Sequence, residues 1–371
     1  MKVQRAWLVA VSAAAVVALG LTGCSASADT TDGTSAASAT SAKDLGGLDK
    51  LVEAAQKEGT LNVIALPEDW SNYGKIIKAF EEKYKITVKS ANPDASSAEE
   101  IKAAKDLKGQ DTAPDVFDLG AAVTLANVDQ FAPYQVENWA DIPDANKEKT
   151  GLWVNDYTGV MSIGYDSKVV PEPTKLEDLL GADYKGKVAI NGDPTQAGAA
   201  FAAVGFAALH NGGTLDDFGA GIDFFAEVNK AGNFLPVDPT PATIASGETP
   251  VVFDWNYNNL AQTKAVPSWK TVILDGAAYG TYYSQAINKD APHPAAARLW
   301  QEFIYGETAQ NLYLEAGAIP ATLAAMDEAG TVNKAALTAA DVDPTALVQP
   351  NAKQTEGAGK LLGEKWAAAV K

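Results

Sequence analysis

Cysteine is almost missing from this sequence: a single one, Cys24, occurs in 371 residues. Without a second thiol no intramolecular disulfide can form, so stability must come from core packing. Arginine is nearly as scarce, with Arg5 and Arg298 the only two. Bidentate recognition of carboxylate or phosphate by a guanidinium is thereby almost withdrawn. The two histidines fall at a helix end (His210) and in a Pro-His-Pro turn (His293). No Gly-x-Ser-x-Gly elbow, His-Glu-x-x-His helix or phosphate loop occurs. A protein that is not an enzyme is expected; paired carboxylates such as Asp193 and Asp254 leave a secreted carboxylate-dependent glycosidase as the alternative of another class. Neither a cofactor nor a metal site is expected. The net charge of -18 makes nucleic acid an unfavourable partner. It either draws in a positively charged ligand or simply keeps the chain soluble.

What is present begins with a basic n-region (Lys2, Arg5), an Ala/Val-rich run from Leu8 to Leu19, and Leu21-Thr22-Gly23-Cys24. Residues 1–23 read as a secretory signal. They resemble the lipobox of bacterial lipoproteins, which implies that Cys24 is lipidated and becomes the new N-terminus at the extracellular face of the membrane. Residues 24–43 are small and polar, and are expected to form a flexible tether. The remainder, about 330 residues, suggests two domains.

Leu48 to Glu58 has helical spacing and stops at Gly59. A β-branched run, Leu61 to Leu66, then meets Pro67, an acidic and aromatic turn (Glu68, Asp69, Trp70), and a helix expected to be capped by Ser71 or Asn72. Ser97-Ala98-Glu99-Glu100 reads as a capping box, and Pro114 to Gly120 as a buried strand. This α-β-α-β-α-β order predicts a parallel sheet covered by helices. Trp153 to Tyr165 and Tyr279 to Ile287 are β-rich runs suited to crossing between domains. Between them, Lys187 to His210 repeats the strand, acidic turn and helix layout, and Thr249 to Asp254 ends in Asp254-Trp255-Asn256-Tyr257. The late aromatics Trp300, Phe303, Tyr313 and Trp366 are expected in the core.

The tether, the LPEDWSNYG and PDVFDLG segments, the KVAINGDPTQAG turn and the SGETPVVFDWNYN strand together resemble the extracellular solute-binding proteins of ABC importers. The likeness is to the group that includes polyamine, ferric-ion, phosphonate and sugar-phosphate receptors. It implies an α/β fold of the type II periplasmic-binding-protein kind: two lobes, each a sheet flanked by helices, joined by two crossing strands. Lobe 1 is expected over 44–157 and 280–371, and lobe 2 over 158–279. The resemblance further implies a monomer that clamps a small solute and passes it to a membrane permease.

In an open α/β sheet, ligands sit beyond the carboxyl ends of strands. Asp69, Trp70 and Tyr73 are therefore candidates, as an aromatic face attracts an ammonium by about 0.5 to 2 kcal/mol. Asp118 ends another strand, and Tyr157 lies at a crossing. Asp193 and Thr195 belong to a turn similar to the family's DP-x-x-S-G, with Ala197 where the pattern carries serine. Asp254, Trp255 and Tyr257 form a third cluster. The closest alignment with polyamine receptors puts Tyr283 where they carry a ligand-binding aspartate. A polyamine-like organic cation is the expected ligand, with a phosphonate or sugar phosphate held by helix N-termini as the alternative.

Overall fold

The computed structural model describes residues 35–340 and 347–370. The expected signal peptide, Cys24 and the first part of the tether lie outside them. From the first described residues on, the chain is already packed: Ala39 and Ala42 are buried, and short 3-10 turns occupy Ala36–Ser38 and Ala42–Leu45. Arg298 holds this strap. Its Nε and Nη2 donate to the carbonyls of Ala39 and Ala37 at 2.8 and 2.9 Å, and Nη1 donates to Pro294 O at 3.0 Å. Residues 35–43 are thus docked against the body, inside the stretch expected as tether.

In chain order the first elements are α1 (Leu48–Glu58), β1 (Thr60–Ile64), α2 (Tyr73–Tyr84), β2 (Thr87–Ala91), α3 (Ser97–Asp106), β3 (Val116–Gly120), α4 (Ala121–Ala126), β4 (Phe131–Ala132) and β5 (Val154–Thr158). Next come β6 (Met161–Asp166), β7 (Val188–Ile190), α5 (Gly198–His210), α6 (Gly219–Lys230), α7 (Pro241–Ser246), β8 (Val251–Trp255), α8 (Asn256–Gln262) and β9 (Trp269–Val272). The described chain closes with β10 (Ala278–Tyr279), β11 (Tyr282–Asn288), α9 (Pro294–Ile304), α10 (Glu307–Ala316), β12 (Ile319–Pro320), α11 (Leu323–Ala329), α12 (Lys334–Ala340), β13 (Leu347–Val348) and α13 (Ala352–Ala369).

The fold is two-lobed. One sheet has the order β12-β5-β11-β3 with β4 also on β11, and β1 pairs with β2 beside it; the second sheet runs β7-β8-β6-β9. The predicted parallel sheet is only partly present. β1–β2 and β7–β8 are parallel, whereas β11 pairs antiparallel with β3, β4 and β5. The reason is topological: β11 returns from the other lobe, so it enters the first sheet in the opposite sense.

The chain crosses between sheets at β5–β6 and again before β11, and the two crossings lie side by side. Thr158 Oγ1 donates to Thr281 O at 2.8 Å, and a Cβ on Gly280 would stand 2.6 Å from Gly159 O. Only glycine lets these backbones touch. In the second lobe α5 is buried on all sides from Ala199 to Ala208, which its Ala-rich sequence permits. α13 packs against both α6 and α4. Its inward stripe is Thr355, Ala358, Leu362 and Trp366, with Trp366 edge-on to Phe225 and Phe234 at 5.6 and 6.3 Å. Trp300, Phe303 and Tyr313 are buried as expected.

Candidate functional site

The loop after β1 departs from ordinary backbone. Ala65, Ser71 and Asn72 have φ of 57°, 47° and 63°, a left-handed region that costs free energy for residues bearing a Cβ. Surrounding contacts hold it: Asn72 Nδ2 donates to Leu312 O at 2.7 Å, and Trp70 Nε1 donates to Tyr157 Oη at 2.7 Å. Asn72 serves as the N-cap of α2 by backbone position, without a side-chain cap bond.

Trp70 is thereby presented to a cavity of about 340 Å3 where this loop, α3, the turn before α5, the start of α7 and the end of β8 converge. Six of the expected residues line it: Asp69, Trp70, Asp118, Asp193, Asp254 and Tyr283. Tyr73, Tyr157, Trp255 and Tyr257 do not; they are buried behind the wall and orient it. Tyr73 and Tyr157 hydroxyls donate to Asp118 Oδ2 at 2.8 and 3.0 Å. Trp255 Nε1 donates to Tyr283 Oη at 3.3 Å, and Tyr257 stands edge-on to Trp70. Thr195 is exposed and donates its hydroxyl to Asp193 Oδ1 at 2.6 Å, so it shapes the turn without lining the cavity.

Eight carboxylates line the cavity, the four named above together with Asp94, Glu99, Glu100 and Asp238. Among the described residues no lysine, arginine or histidine lines it, and none of the eight takes part in an ion pair. Glu100, Asp118 and Asp254 are buried, the other five exposed. Burial pushes Asp118 up to about 7 against the two tyrosine hydrogen bonds that favour its charge. Asp254 is pushed up to about 6 by burial, opposed by the Trp255 N–H, Asn258 and Asn191 and assisted by Asp69. Glu100 is raised well above the ordinary range by burial and then by the neighbouring Asp118. Asp118 Oδ1 is buried with no hydrogen-bond partner among the described residues. Such an orphaned acceptor costs about 1–3 kcal/mol or more unless something pairs with it.

The lobes touch beside Asp118. A Cβ on Gly198 would lie 3.0 Å from Gly120 Cα and 3.1 Å from Tyr283 Oη, and Ala98 N donates to Gln196 O at 3.2 Å. Of the helix N-termini at the cavity, those of α3 and α7 are capped by side chains, whereas α5, whose Gly198 and Ala199 line the cavity, has no side-chain cap. At α3, Ser96 and not Ser97 is the cap: Glu99 N donates to Ser96 Oγ, and Glu99 Oε2 accepts from Ser96 N at 2.8 Å. Ser97 Oγ instead accepts from Gly120 N at 3.0 Å.

Glu100, Asn191, Asn258 and Asp238 were not singled out from sequence. Asp238 carried a signal, because Asp238-Pro239-Thr240 repeats the Asp193-Pro194-Thr195 tripeptide. Asn258 follows Asp254 by one helical turn and donates to its carboxylate at 3.1 and 3.2 Å.

The family model described as bacterial extracellular solute-binding protein matches residues 113–344. Among solved structures, the periplasmic binding protein AfuA from Actinobacillus pleuropneumoniae, with exogenous fructose-6-phosphate bound, is similar at 18% identity and a TM-score of 0.67, covering 84% of this chain and 99% of that one. A putative spermidine/putrescine ABC transporter protein from Listeria monocytogenes is similar at 13% identity and a TM-score of 0.60, covering 83% and 99%. A ferric binding protein from Campylobacter jejuni gives 15% identity and a TM-score of 0.58, covering 83% and 99%. A search of curated proteins finds no match.

Proposed function

Because the chain belongs to the bacterial extracellular solute-binding proteins, the receptors that serve ABC transporters, we propose that its solute is a small organic cation of the polyamine type. The observation that carries this reading is the lining: among the described residues, eight carboxylates, no basic side chain, and a buried Asp118 Oδ1 without a partner. An ammonium placed there pairs with the orphaned oxygen, and the faces and edges of Trp70 and Tyr283 cover its methylenes. A phosphate in the same place would meet eight acidic groups with no countercharge, a repulsion that uncapped backbone N–H groups alone do not offset. The receptor is a lipoprotein anchored through Cys24, acts as a monomer, and delivers the cation to its permease.

A thermal-shift panel tests the ligand class, with putrescine, spermidine, a phosphonate, fructose-6-phosphate and ferric ion each added to the full chain. At 100 times its dissociation constant a true ligand adds about 2.7 kcal/mol of stability. Stabilisation by an amine is the expected result. Stabilisation by fructose-6-phosphate or the phosphonate, with the amines inert, would overturn the cation reading. The anchor is tested separately: Cys24→Ala is expected to release the receptor into the medium.

A further inference from the structure

Behind Asp118 lies a second buried carboxyl, Asp156 on β5, with no exposure. It does not line the cavity. Tyr73 Oη bridges the two acids, 2.8 Å from Asp118 Oδ2 and 3.3 Å from Asp156 Oδ2. Tyr313 Oη stands 3.0 Å from Tyr73 Oη and 3.2 Å from Asp156 Oδ2. Gln285 Nε2 donates to both Tyr73 Oη and Asp156 Oδ2 at 3.0 Å. Its orientation is fixed because Trp300 Nε1 donates to Gln285 Oε1 at 3.1 Å. Asp156 Oδ1 accepts from Tyr157 N at 2.8 Å.

Among the described residues, the titratable groups that face this pair are Tyr73 from α2, Glu100 from α3, Tyr157 from β5, Tyr283 from β11, Tyr257 from α8, Tyr305 at the end of α9, and Tyr313 from α10. None is basic. The tyrosines are held neutral by burial, so they can pass a proton but not supply a compensating charge. Two carboxylates joined by one hydroxyl, out of water and without a cation, cannot both stay ionised. One proton must remain with them.

We propose that capture of the cation is an exchange: in the empty receptor the Asp118–Asp156 pair retains one proton, and an ammonium docking on Asp118 Oδ1 expels it. The carboxyl O–H bond breaks, its electron pair stays on the carboxylate, and the proton leaves to solvent water and buffer. The ammonium keeps all its own protons and forms an ion pair. The pair carries one negative charge before the exchange and, with the single positive charge of the docked ammonium included, one after it; the second ammonium of a diamine lies outside this balance. The tyrosine bridge makes the proton common to both acids, so the carboxylate that meets the ligand is coupled to one that never does. This exchange rests on the cation reading proposed above.

The test is calorimetric titration of the full chain with putrescine, in two buffers of unlike ionisation enthalpy, repeated from about pH 5.5 to pH 8. The expected result is release of up to about one proton per putrescine near pH 6, and an affinity that weakens by up to about tenfold for each pH unit on the acid side. Asp156→Asn removes the hidden acid and leaves every lining carboxylate in place. It is expected to cut the proton release by more than half at pH 6 and to flatten the pH dependence. Putrescine binding with no proton release and a pH-independent affinity would overturn the exchange while leaving the cation reading intact. Undiminished release from Asp156→Asn would also overturn it, by assigning the proton to Asp118 alone, to Glu100 or to Asp254 and not to a shared pair. Absence of putrescine binding at every pH sinks the cation reading and the exchange with it.

Discussion

α13 lies beyond residues 113–344, the part of the chain that the family model matches. Its Trp366, 4% exposed, is set into a pocket formed by Phe225 on α6 and Phe234. Trp366→Ala measures whether this appended helix is part of the cooperative fold. A buried tryptophan removes about 200 Å2 from water, worth about 5 kcal/mol at ~25 cal/mol per Å2, of which the alanine methyl retains about 0.8 kcal/mol. The expected loss is therefore about 3–5 kcal/mol, in the range for deleting a large aromatic from a core. Against the 5–15 kcal/mol or so that holds a typical protein folded, this is a large fraction. Urea unfolding of the ligand-free chain, followed by far-ultraviolet circular dichroism, reads it as a lower midpoint at unchanged slope. Trp366→Phe, which keeps one ring in the pocket, should cost distinctly less. A loss under about 1 kcal/mol, or a separate early transition for α13 in the wild type, would refute the reasoning and make the helix an independently fraying appendage.

Three further outcomes follow from the geometry. Gly198→Ala forces a Cβ to within 3.0 Å of Gly120 Cα; overpacking of about 1–3 kcal/mol, felt where the lobes meet, should weaken ligand affinity by about 5- to 150-fold in a calorimetric titration. Unchanged affinity would mean that these backbones are apart when ligand is bound. His293 is raised above its ordinary value chiefly by its hydrogen bond to buried Asp115, at 2.9 Å. A folded pKa above the unfolded one gives a stabilisation that is full below about pH 6.5 and lost as pH rises through the folded value, so His293→Gln should destabilise most in mild acid and least near about pH 9. Asp118 and Asp254, raised to about 7 and about 6, obey the same sign. The empty receptor, with His293→Gln as background, should gain stability between about pH 8 and pH 5, a slope that saturating ligand reduces; a flat profile measured by chemical denaturation would contradict the burial of these acids without a cation.

Much of the scaffold could be read ahead of the structure because its signals are local. The β-branched run at Leu61 to Leu66, the turn at Asp69-Trp70 and the Ala-rich helix before His210 each announce an element by local composition and the turn residues that bound it. The α3 cap illustrates where such reading stops. Ser96 and Ser97 each stand three residues before a glutamate, so two overlapping capping boxes compete. The tertiary fold decides between them: Ser97 Oγ is taken by Gly120 N, and Glu100 Oε2 accepts from Asp118 N at 3.0 Å, leaving Ser96 and Glu99 to cap the helix. Asp156 was invisible for a related reason. Its partners Tyr73, Gln285 and Tyr313 come from three segments remote in sequence, and no spacing rule links them. The antiparallel entry of β11 likewise depends on which lobe the chain is returning from, a property of the path and not of the strand.

Arg298 offers a consequence for the bench. It is the only arginine among the described residues and is 1% exposed, with all three of its nitrogens engaged by backbone carbonyls. An arginine-selective dicarbonyl reagent should therefore leave the native body unmarked and tag the peptide bearing Arg298 only in molecules that have opened. Mass spectrometry of that one peptide then counts unfolded chains directly, without a fluorophore, an engineered cysteine or any change to the sequence.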